Sequence, residues 1–380
     1  MLRIIIFFLA GLLSMSSLFA FPENKDTLHI KITSRVKRKP VSGVVVQVAQ
    51  KEDTFHLDQN GYICVTDLSP DKYTLEIKGK GFRTKTHKIE KKNFGTKDTV
   101  KVEIEPNWIF DGSESLHFSQ HAYSPYWQKG STNSMAIRGE VNLNAKYKKA
   151  RQDWENSFSI KHGVLKQGEY DFLTSEDLVE LNSEYGRRFS EHFLTTALLN
   201  IRTQIRKGYK IEKDGSRGEL RSDFLAPGYF NFGTGMDYKS KELGLNIYYS
   251  PLNSKVTLVQ DSILSQFYMP KDLIGQTRRY ELGSYLKINY KKEIVKNIVF
   301  QTNADFFANH LKDFGSVDVN WETKMDFKVN KYVSANILTH LIYDQDIQFD
   351  IADASGEPTG KKGPRTQFHE ALNIGLIHKF

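Results

Sequence analysis

The chain has 380 residues, of which 26% are charged and 39% hydrophobic, and its formal net charge is +8. A single cysteine excludes an intramolecular disulfide framework. Since no segment after the first twenty residues resembles a membrane helix, the composition suits either an exported soluble protein or a barrel whose strands turn every second residue towards lipid.

Residues 1–20 are predicted to form a secretory signal peptide. Arg3 precedes an apolar run from Ile4 to Leu13, and the segment ends in small residues at Ala20. The run is shorter than a membrane-anchoring helix requires. Export argues against nucleic acid as a partner, despite the positive net charge.

Residues 21–107 are predicted to form a small periplasmic β-sandwich. Short β-type segments such as TLHIKIT, SGVVVQVAQ and TVKVEIE are separated by turn signals, one of which is Asn60-Gly61. The single cysteine, Cys64, lies in one of these segments and is expected to pack as a small apolar residue. A reactive thiol is not favoured, because no basic cluster lies nearby in the sequence to activate it.

The order PVSGVVVQV, LDQNGYI and LSPDKYTLEIKGKGF resembles the carboxypeptidase-regulatory-like, prealbumin-type sandwich. The resemblance implies a seven-stranded or similar β-sandwich that serves as an interaction module. It carries over no catalytic residues.

From about Ser113 onward the chain repeats segments of about ten residues in which hydrophobicity alternates with period two. In VDVNWETKMDFKV, one face runs from Val317 to Val329 and the other carries the charged residues from Asp318 to Lys328. Twelve such segments begin near Ser115, Ser134, Asp153, Asp177, His192, Asp223, Leu243, Arg278, Asn297, Val317, Tyr332 and Gln367. Residues 251–276 leave room for a further hairpin, so the prediction allows ten to fourteen strands.

The connections between these segments alternate in length. Short turns such as YKKARQ and GRRFSE are interleaved with long loops around 123–133, 164–176, 205–222, 251–276, 310–316 and 346–366. Short turns on one side and long loops on the other are typical of outer-membrane barrels. The predicted fold class is therefore all-β: a transmembrane antiparallel β-barrel of about 12 strands at residues 108–380, preceded by the small prealbumin-like β-sandwich.

Aromatic residues are expected near the short-turn ends of the strands, where a membrane-interface girdle lies. They are Tyr147, Trp154, Phe189, Phe193, Tyr238, Tyr290, Phe327, Tyr332 and Phe380. The last of them ends a strand with apolar residues at alternate positions. Leu376, His378 and Phe380 resemble the C-terminal signal that the outer-membrane insertion machinery reads, with His378 at the usual tyrosine position.

Several further stretches, among them WENSFSIKHGVLK, FLAPGYFNFGTGMDYK and the closing GLIHKF, resemble an uncharacterised outer-membrane barrel family of Bacteroidota-type bacteria. The resemblance covers roughly residues 108–380. The sequence departs from the family pattern in the first loop, where Tyr126-Trp127 replaces Asn-Trp and Gly130-Ser131 replaces a glycine pair. It implies a fold and a location in the outer membrane, with both termini periplasmic, and no established activity.

The face opposite the lipid carries charges of both signs, which are predicted to lie in the lumen. They are Arg138, Glu140, Lys146, Arg202, Arg279, Glu281, Lys287, Asp318, Glu322, Lys324 and Asp326. Mixed signs favour a paired network that fills the interior of the barrel, and the alternative is a selective pore lined by these side chains.

Basic residues concentrate in the predicted periplasmic turns. They are Lys148, Lys149, Arg151, Arg187, Arg188, Lys291 and Lys292, with Lys239, Lys241, Lys296 and Lys331 in similar places. Such a ring suits contact with anionic lipid or with an acidic partner surface, and ordinary solvation of turns is the alternative.

No catalytic, cofactor-binding or metal-binding residue is predicted. His117, His162 and His340 are far from any serine motif. The acidic stretch DQDIQFDIAD, with Asp344, Asp346, Asp350 and Asp353, departs from the spacing of known calcium loops and is interpreted as a solvated loop.

The leading functional hypothesis is a non-enzymatic accessory or scaffold subunit of an outer-membrane complex. The alternative is a passive or substrate-selective channel, and the third is an outer-membrane enzyme. The expected partners are outer-membrane lipid, the insertion machinery during biogenesis, and proteins that bind the periplasmic sandwich.

Overall fold

The computed structural model describes residues 28–36, 38–49, 53–66, 72–90, 99–124, 133–212, 216–312, 315–330, 332–352 and 358–379. The predicted signal peptide and Phe380 lie outside these residues. The chain divides into two compact units, one ending at Pro106 and one beginning at Asn107. Among the described residues, no helix is long and apolar enough to cross a membrane.

The first unit is a two-sheet sandwich. Its strands are β1 (Leu28–Ser34), β2 (Val44–Val48), β3 (Thr54–His56), β4 (Tyr62–Val65), β5 (Lys72–Gly79), β6 (Lys85–Glu90) and β7 (Val100–Ile104). One sheet has the order β4-β1-β7 and the other the order β3-β2-β5-β6. Within the first sheet, β1 pairs antiparallel with β4 and parallel with β7.

Period-two patterning builds the core of this sandwich. Alternate residues of β1, from Leu28 to Ile32, are buried, and they pack in one cluster with Val46 and Ile77 of the other sheet. Cys64 lies between two buried residues of β4 and is only half-buried, on the face opposite the core. Burial raises the pKa of its thiol, the opposite of the shift that activates a cysteine.

The second unit contains the remaining strands. They are β8 (Trp108–His121), β9 (Ser134–Lys149), β10 (Gln152–Gln167), β11 (Leu173–Arg188), β12 (Phe193–Thr203), β13 (Gly208–Ile211), β14 (Arg217–Ser222), β15 (Gly228–Ser240), β16 (Leu245–Leu258), β17 (Arg278–Val295), β18 (Ile298–Asn309), β19 (Val317–Lys328), β20 (Val333–Tyr343), β21 (Phe349–Ala352), β22 (Pro358–Gly363) and β23 (Gln367–Lys379). Twelve of them form a closed antiparallel barrel in chain order, and β23 closes against β8. The pairs β13-β14 and β21-β22 are small hairpins within long loops. The predicted barrel of about 12 strands is confirmed.

The connections alternate in length, but three details of the prediction are wrong. The first barrel strand begins at Trp108, earlier than Ser115. The loop expected at 164–176 is only residues 168–172, because the ladder between β10 and β11 continues past a bulge at Gly163. Residues 251–276 hold no further barrel hairpin. Instead β16 continues to residue 258, and a one-turn helix, α1 (Ser265–Tyr268), follows.

The outer face of the barrel is apolar and exposed. Phe110, Trp321, Leu372 and Ile374 are each between 48% and 71% exposed on this face. Contiguous exposed apolar surface on this scale is costly in water and is what lipid solvates.

A ring of aromatic residues lies at the short-turn end. Trp108 contacts both Tyr147 and Trp154, with ring centroids 5.2 and 5.6 Å away, and Phe193 contacts Tyr238 at 5.3 Å. Aromatic rings with one polar edge are favoured at the membrane–water interface. The barrel therefore has the apolar belt and the flanking girdle of a membrane-spanning protein.

Candidate functional site: the barrel interior and its rims

The strand registers place all eleven predicted lumen charges on the interior face, and each takes part in an ion pair. Five of these ion pairs join residues on one strand or on neighbouring strands: Arg138–Glu140, Lys146–Asp111, Arg202–Glu180, Arg279–Glu281 and Lys324–Asp326. Three reach across the interior: Lys287–Glu184, Lys255–Asp318 and Lys161–Glu322. The interior is thus a network of paired charges.

Glu184 on β11 is the centre of one interior cluster. Its carboxylate accepts hydrogen bonds from Lys287 Nζ on β17 at 2.9 Å and from Lys239 Nζ on β15 at 3.4 Å. Lys239 also bonds Glu155 of β10 at 2.9 Å and lies 3.3 Å from the buried Asp237. Four barrel strands that are not all neighbours are therefore joined through one carboxylate and one ammonium group.

A second cluster lies nearer the long-loop end. Lys255 on β16 binds Asp318 on β19 at 2.7 Å, and Arg279 binds Glu281 at 2.6 Å. Arg279 also contacts Asp346, a residue of the acidic loop. The acidic loop is therefore joined to the interior charge network by this ion pair and is not simply solvated as predicted; the side chain of Asp350 and all of Asp353 lie outside the described residues.

The ion pairs on the side of β9 and β10 include the one that Lys161 makes across the interior and one that reaches past a single strand, from β9 over β10 to β11. Lys161 on β10 lies 3.6 Å from Glu322 on β19, and Arg138 on β9 lies 2.5 Å from Glu176 on β11. The sequence analysis missed Lys161, Glu176 and Glu184. It placed Lys239 in a short turn, whereas this residue lies on β15 with its side chain 16% exposed in the interior.

The interior also holds an apolar cluster that the sequence analysis did not predict. Leu198, Tyr248, Tyr285 and Phe307 pack together and are at most 6% exposed. They come from β12, β16, β17 and β18. Each lies an even number of positions from an interior polar residue of its strand, as Tyr285 lies two positions from Lys287, and so faces the same side. This spacing could have identified the four residues as interior.

The long-loop end has its own small core. Leu264, Met269 and Val259 are buried against Ala226, and the hydroxyl of Tyr268 donates to the carbonyl of Arg221 at 2.8 Å. Burial raises the pKa of Tyr268 to about 12. This loop is packed as a folded element.

The basic short-turn residues lie mostly in strand ends. Of the seven residues first predicted to form this ring, only Arg151 lies in a turn. Lys148, Lys149, Arg187 and Arg188 end β9 and β11. The turn placement of Lys291 and Lys292 is wrong, because β17 keeps its ladder with β18 beyond them and turns only after Val295. Polar residues do not end a strand whose partner strand continues to pair.

Two of these cations are already neutralised. Arg188 and Lys148 lie 2.5 and 3.8 Å from the oxygens of Asp153, which is 5% exposed. Lys149, Arg151, Arg187 and Lys292 are exposed. The exposed part of the basic ring is therefore smaller than predicted.

The last strand places Leu376 and His378 on the outer face, as the alternation predicts. Leu376 is 59% exposed, and His378 Nδ1 lies 3.2 Å from Glu114 Oε1 of β8. The third residue of the signal, Phe380, lies outside the described residues.

Two of the histidines, His340 and His117, lie within hydrogen-bond distance of small polar side chains. His340 Nε2 lies 2.7 Å from Asn320 Oδ1, and His117 Nε2 lies 3.2 Å from Ser115 Oγ. In the part of the chain that the structure describes, no three His, Cys, Asp or Glu residues are grouped so as to hold a metal ion.

Comparison with known proteins locates one family match. The model of a family described as a protein of unknown function (DUF3078) matches residues 118–209, a range that begins within β8 and includes β9 to β12. None of the curated proteins matches the chain.

Solved outer-membrane proteins are similar at low identity. An outer membrane channel from Pseudomonas putida F1 is 10% identical with a TM-score of 0.33, over 71% of this chain and 94% of that chain. The NanC porin is 7% identical with a TM-score of 0.32, over 70% and 98%. A Salmonella typhi outer membrane phospholipase is 10% identical with a TM-score of 0.30, over 70% and 90%. None of these values transfers an activity. The closed twelve-stranded barrel with its apolar outer face is an outer-membrane β-barrel.

Proposed function

We propose that the protein is a non-enzymatic accessory or scaffold subunit of an outer-membrane complex. The observation that carries the proposal is the filled interior. Ion pairs through Glu184 and Lys161 join strands on different sides of the barrel. An apolar cluster that includes Tyr248 packs on the interior face of β12, β16, β17 and β18. A barrel with this interior serves as a membrane platform rather than as a path for solutes.

Energetics support this choice over the channel. The side chains of Glu184, Lys239 and Lys287 are between 8% and 16% exposed, so a solute that passed them would have to separate desolvated ion pairs. Separating a buried pair leaves an uncompensated charge and costs about 3–5 kcal/mol. In a conducting pore, by contrast, the charged lining acts on the solutes that pass it.

The N-terminal sandwich supplies the docking surface in this proposal. Among the described residues, it has a core of fifteen buried residues built from both of its sheets. We infer that it is a carboxypeptidase-regulatory-like domain in the periplasm, that residues 1–20 are removed on export, and that both termini of the mature chain are periplasmic. We also place the barrel in a Bacteroidota-type family, on the sequence resemblance.

The proposal is tested by mild-detergent affinity purification from native outer membranes, with stoichiometry measured by mass spectrometry. The full chain should bring down a partner in near-equal amount. A chain that keeps the signal segment and the barrel but lacks residues 21–106 should lose that partner while the barrel still folds. A barrel that purifies alone in both forms would contradict the scaffold role.

A matched variant separates the sandwich from the basic rim as the binding surface. Lys149→Gln with Arg187→Gln removes two exposed charges from the rim and leaves the sandwich intact. Retention of the partner by this variant is expected if the sandwich makes the main contact.

A further inference from the structure

A cleft at the long-loop end of the barrel stands apart from the interior network. It has a volume of about 330 Å³ and lies between the start of β11 and the segment that joins β12 to the β13-β14 hairpin. Its walls include Phe172, Ile205 and Tyr209, and three cations open onto it: Arg206, Lys207 and Arg217. The cleft therefore combines positive charge with apolar and aromatic surface.

The backbone beside the cleft is held in place by a carboxylate of the barrel. Asp177 Oδ2 on β11 accepts hydrogen bonds from the backbone N–H groups of Ile205 at 3.1 Å and Arg206 at 2.5 Å. The carboxylate thus orders the segment by binding its amides. Because the segment is ordered, the side chains of Arg206 and Lys207 start from a fixed backbone.

Little negative charge faces these cations. Among the described residues that line the cleft, the one acidic side chain is Asp223, which lies 3.8 Å from Lys207 Nζ. The guanidinium of Arg217 lies over the ring of Tyr209, 4.7 Å from its centroid. Among the described residues, no carboxylate lies within ion-pair distance of Arg206 or Arg217. The cleft has an excess of positive charge that an anion could neutralise.

Apolar surface borders the same cleft. Phe172 is 46% exposed and Ile205 is 52% exposed, although both adjoin buried strand ends. Phe172 directly precedes β11, and Ile205 follows β12 by two residues. A ligand that met both the cations and these side chains would be an amphiphile with an anionic head.

We propose that this cleft binds the phosphate-bearing headgroup of a membrane lipid. Arginine recognises phosphate through two parallel N–H donors, and the two arginines and one lysine of the cleft supply several such donors. The first carbons of the acyl chains lie against Phe172 and Ile205. In the proposed orientation this is the outer leaflet, so the lipid would anchor the long-loop end in the membrane.

The test uses the full-length protein in phosphatidylcholine nanodiscs that contain a minor fraction of phosphatidic acid, and native mass spectrometry counts the retained lipids. Diacylglycerol with the same acyl chains is the ligand control, since it lacks only the phosphate. Inorganic phosphate, added at constant ionic strength, tests whether a free anion displaces the lipid.

Arg206→Gln with Arg217→Gln should reduce retention of phosphatidic acid by about tenfold, since hydrogen bonds to charged groups contribute most of the affinity for a phosphate. Lys88→Gln with Lys101→Gln is the matched control, because it removes two exposed charges from the sandwich and should change nothing. Arg206→Lys with Arg217→Lys keeps the charge and loses the paired donors, so it should lie between the two.

Three results would overturn the proposal: equal retention of phosphatidic acid by the glutamine variant, retention of diacylglycerol as strong as that of phosphatidic acid, or full displacement by inorganic phosphate. The last would assign the cleft to a soluble anion. Heat-modifiable gel migration reports whether each variant folds. If the double variant does not fold, Arg217→Gln alone gives the same test, because this side chain belongs to the β13-β14 hairpin and lies over the ring of Tyr209, outside the barrel ladder.

Discussion

Glu184 illustrates how the interior of this barrel depends on single side chains. It is 7% exposed and bonded to two lysines, so its replacement leaves two ammonium groups without their shared carboxylate. Removing one partner of a buried ion pair is far more costly than removing one partner of an exposed pair, because water cannot take the place of the lost charge.

We therefore predict that Glu184→Gln lowers the free energy of unfolding by about 3–5 kcal/mol. The matched control is Asp111→Asn, which breaks the rim pair with Lys146, whose side chains are 45% and 48% exposed. This control should cost no more than about 1 kcal/mol. Urea unfolding in detergent, followed by tryptophan fluorescence, measures both. Equal losses would show that the interior is as solvated as the rim.

Gly61 gives a second residue-scale prediction, in the sandwich. Its φ is +79°, and a Cβ built on it would lie 2.6 Å from the carbonyl oxygen of Ile32. The turn is also fixed by Asp58, whose carboxylate accepts the N–H groups of Asn60 and Tyr62 at 2.9 and 2.7 Å. The backbone therefore cannot move away from the clash without breaking these bonds.

A left-handed conformation costs a non-glycine residue about 1–2 kcal/mol. Gly61→Ala is expected to destabilise the sandwich by more than this, because the clash adds to the conformational cost. Gly43 separates the two causes, because its φ is +68° and nothing lies within 4 Å of its Cβ position. Gly43→Ala should show the conformational cost alone. Hydrogen exchange of the β1 amides in the full chain measures both variants, and an identical effect would remove the steric argument.

At the residue scale, the sequence predicted which face of the barrel a side chain lies on better than it predicted which residue that side chain contacts. Parity along each strand assigned Lys287 and Asp318 to the interior, because successive side chains point to opposite faces. Parity does not say which residue they meet. Lys287 reaches Glu184, 103 positions away, because the barrel curves through several strands to bring β17 opposite β11. The number of strands and their stagger set that distance, and neither is readable from one strand.

At the scale of elements, the seam between β23 and β8 is the weakest joint of the barrel. Its ladder joins only Gly375–Lys379 to Ser113–His117, whereas every other ladder between barrel strands has at least ten residue pairs. Among the described residues, no ladder or isolated bridge joins 371–374 to 118–121, although both stretches are strand. Unpaired backbone groups at membrane depth are costly, so this stretch is the part of the barrel that opens most readily.

A pair of cysteine staples tests the seam in a Cys64→Ser background. Leu116→Cys with Leu376→Cys joins two register partners on the outer face and should form a disulfide readily under mild oxidation. Phe118→Cys with Ile374→Cys lies one step further along the same strands and the same face. It should form more slowly, as non-reducing gels would show. Equal rates would mean that the ladder extends beyond His117.

The elements themselves were largely predictable, and the errors have a common cause. Twelve period-two segments were recognised because each strand shows lipid one face and the interior the other. The end of β17 was predicted too early, at Lys291, and the start of β8 was predicted too late, at Ser115. Strand ends are set by hydrogen bonding to the neighbouring strand, and a polar or small side chain does not interrupt a ladder. The β13-β14 and β21-β22 hairpins were missed because they belong to loops and not to the barrel period.

At the scale of the whole molecule, the chain combines a sandwich with its own core and a barrel whose interior face carries paired charges and an apolar cluster. The sequence predicted both units and the mixed charges of the interior. It left two alternatives for the lumen, filled or open. The apolar cluster of Leu198, Tyr248, Tyr285 and Phe307 supports the proposal of a filled lumen, because it buries large side chains inside the barrel.

Planar-bilayer conductance of the purified full chain tests this central claim most directly. The wild-type protein should insert without a steady ohmic current. A variant with Glu184, Lys239 and Lys287 all replaced by alanine shows that insertion can be detected, since removal of these side chains empties one interior cluster and should produce conductance. A steady single-channel current from the wild-type protein would contradict the account, and the interior charges would then line a pore.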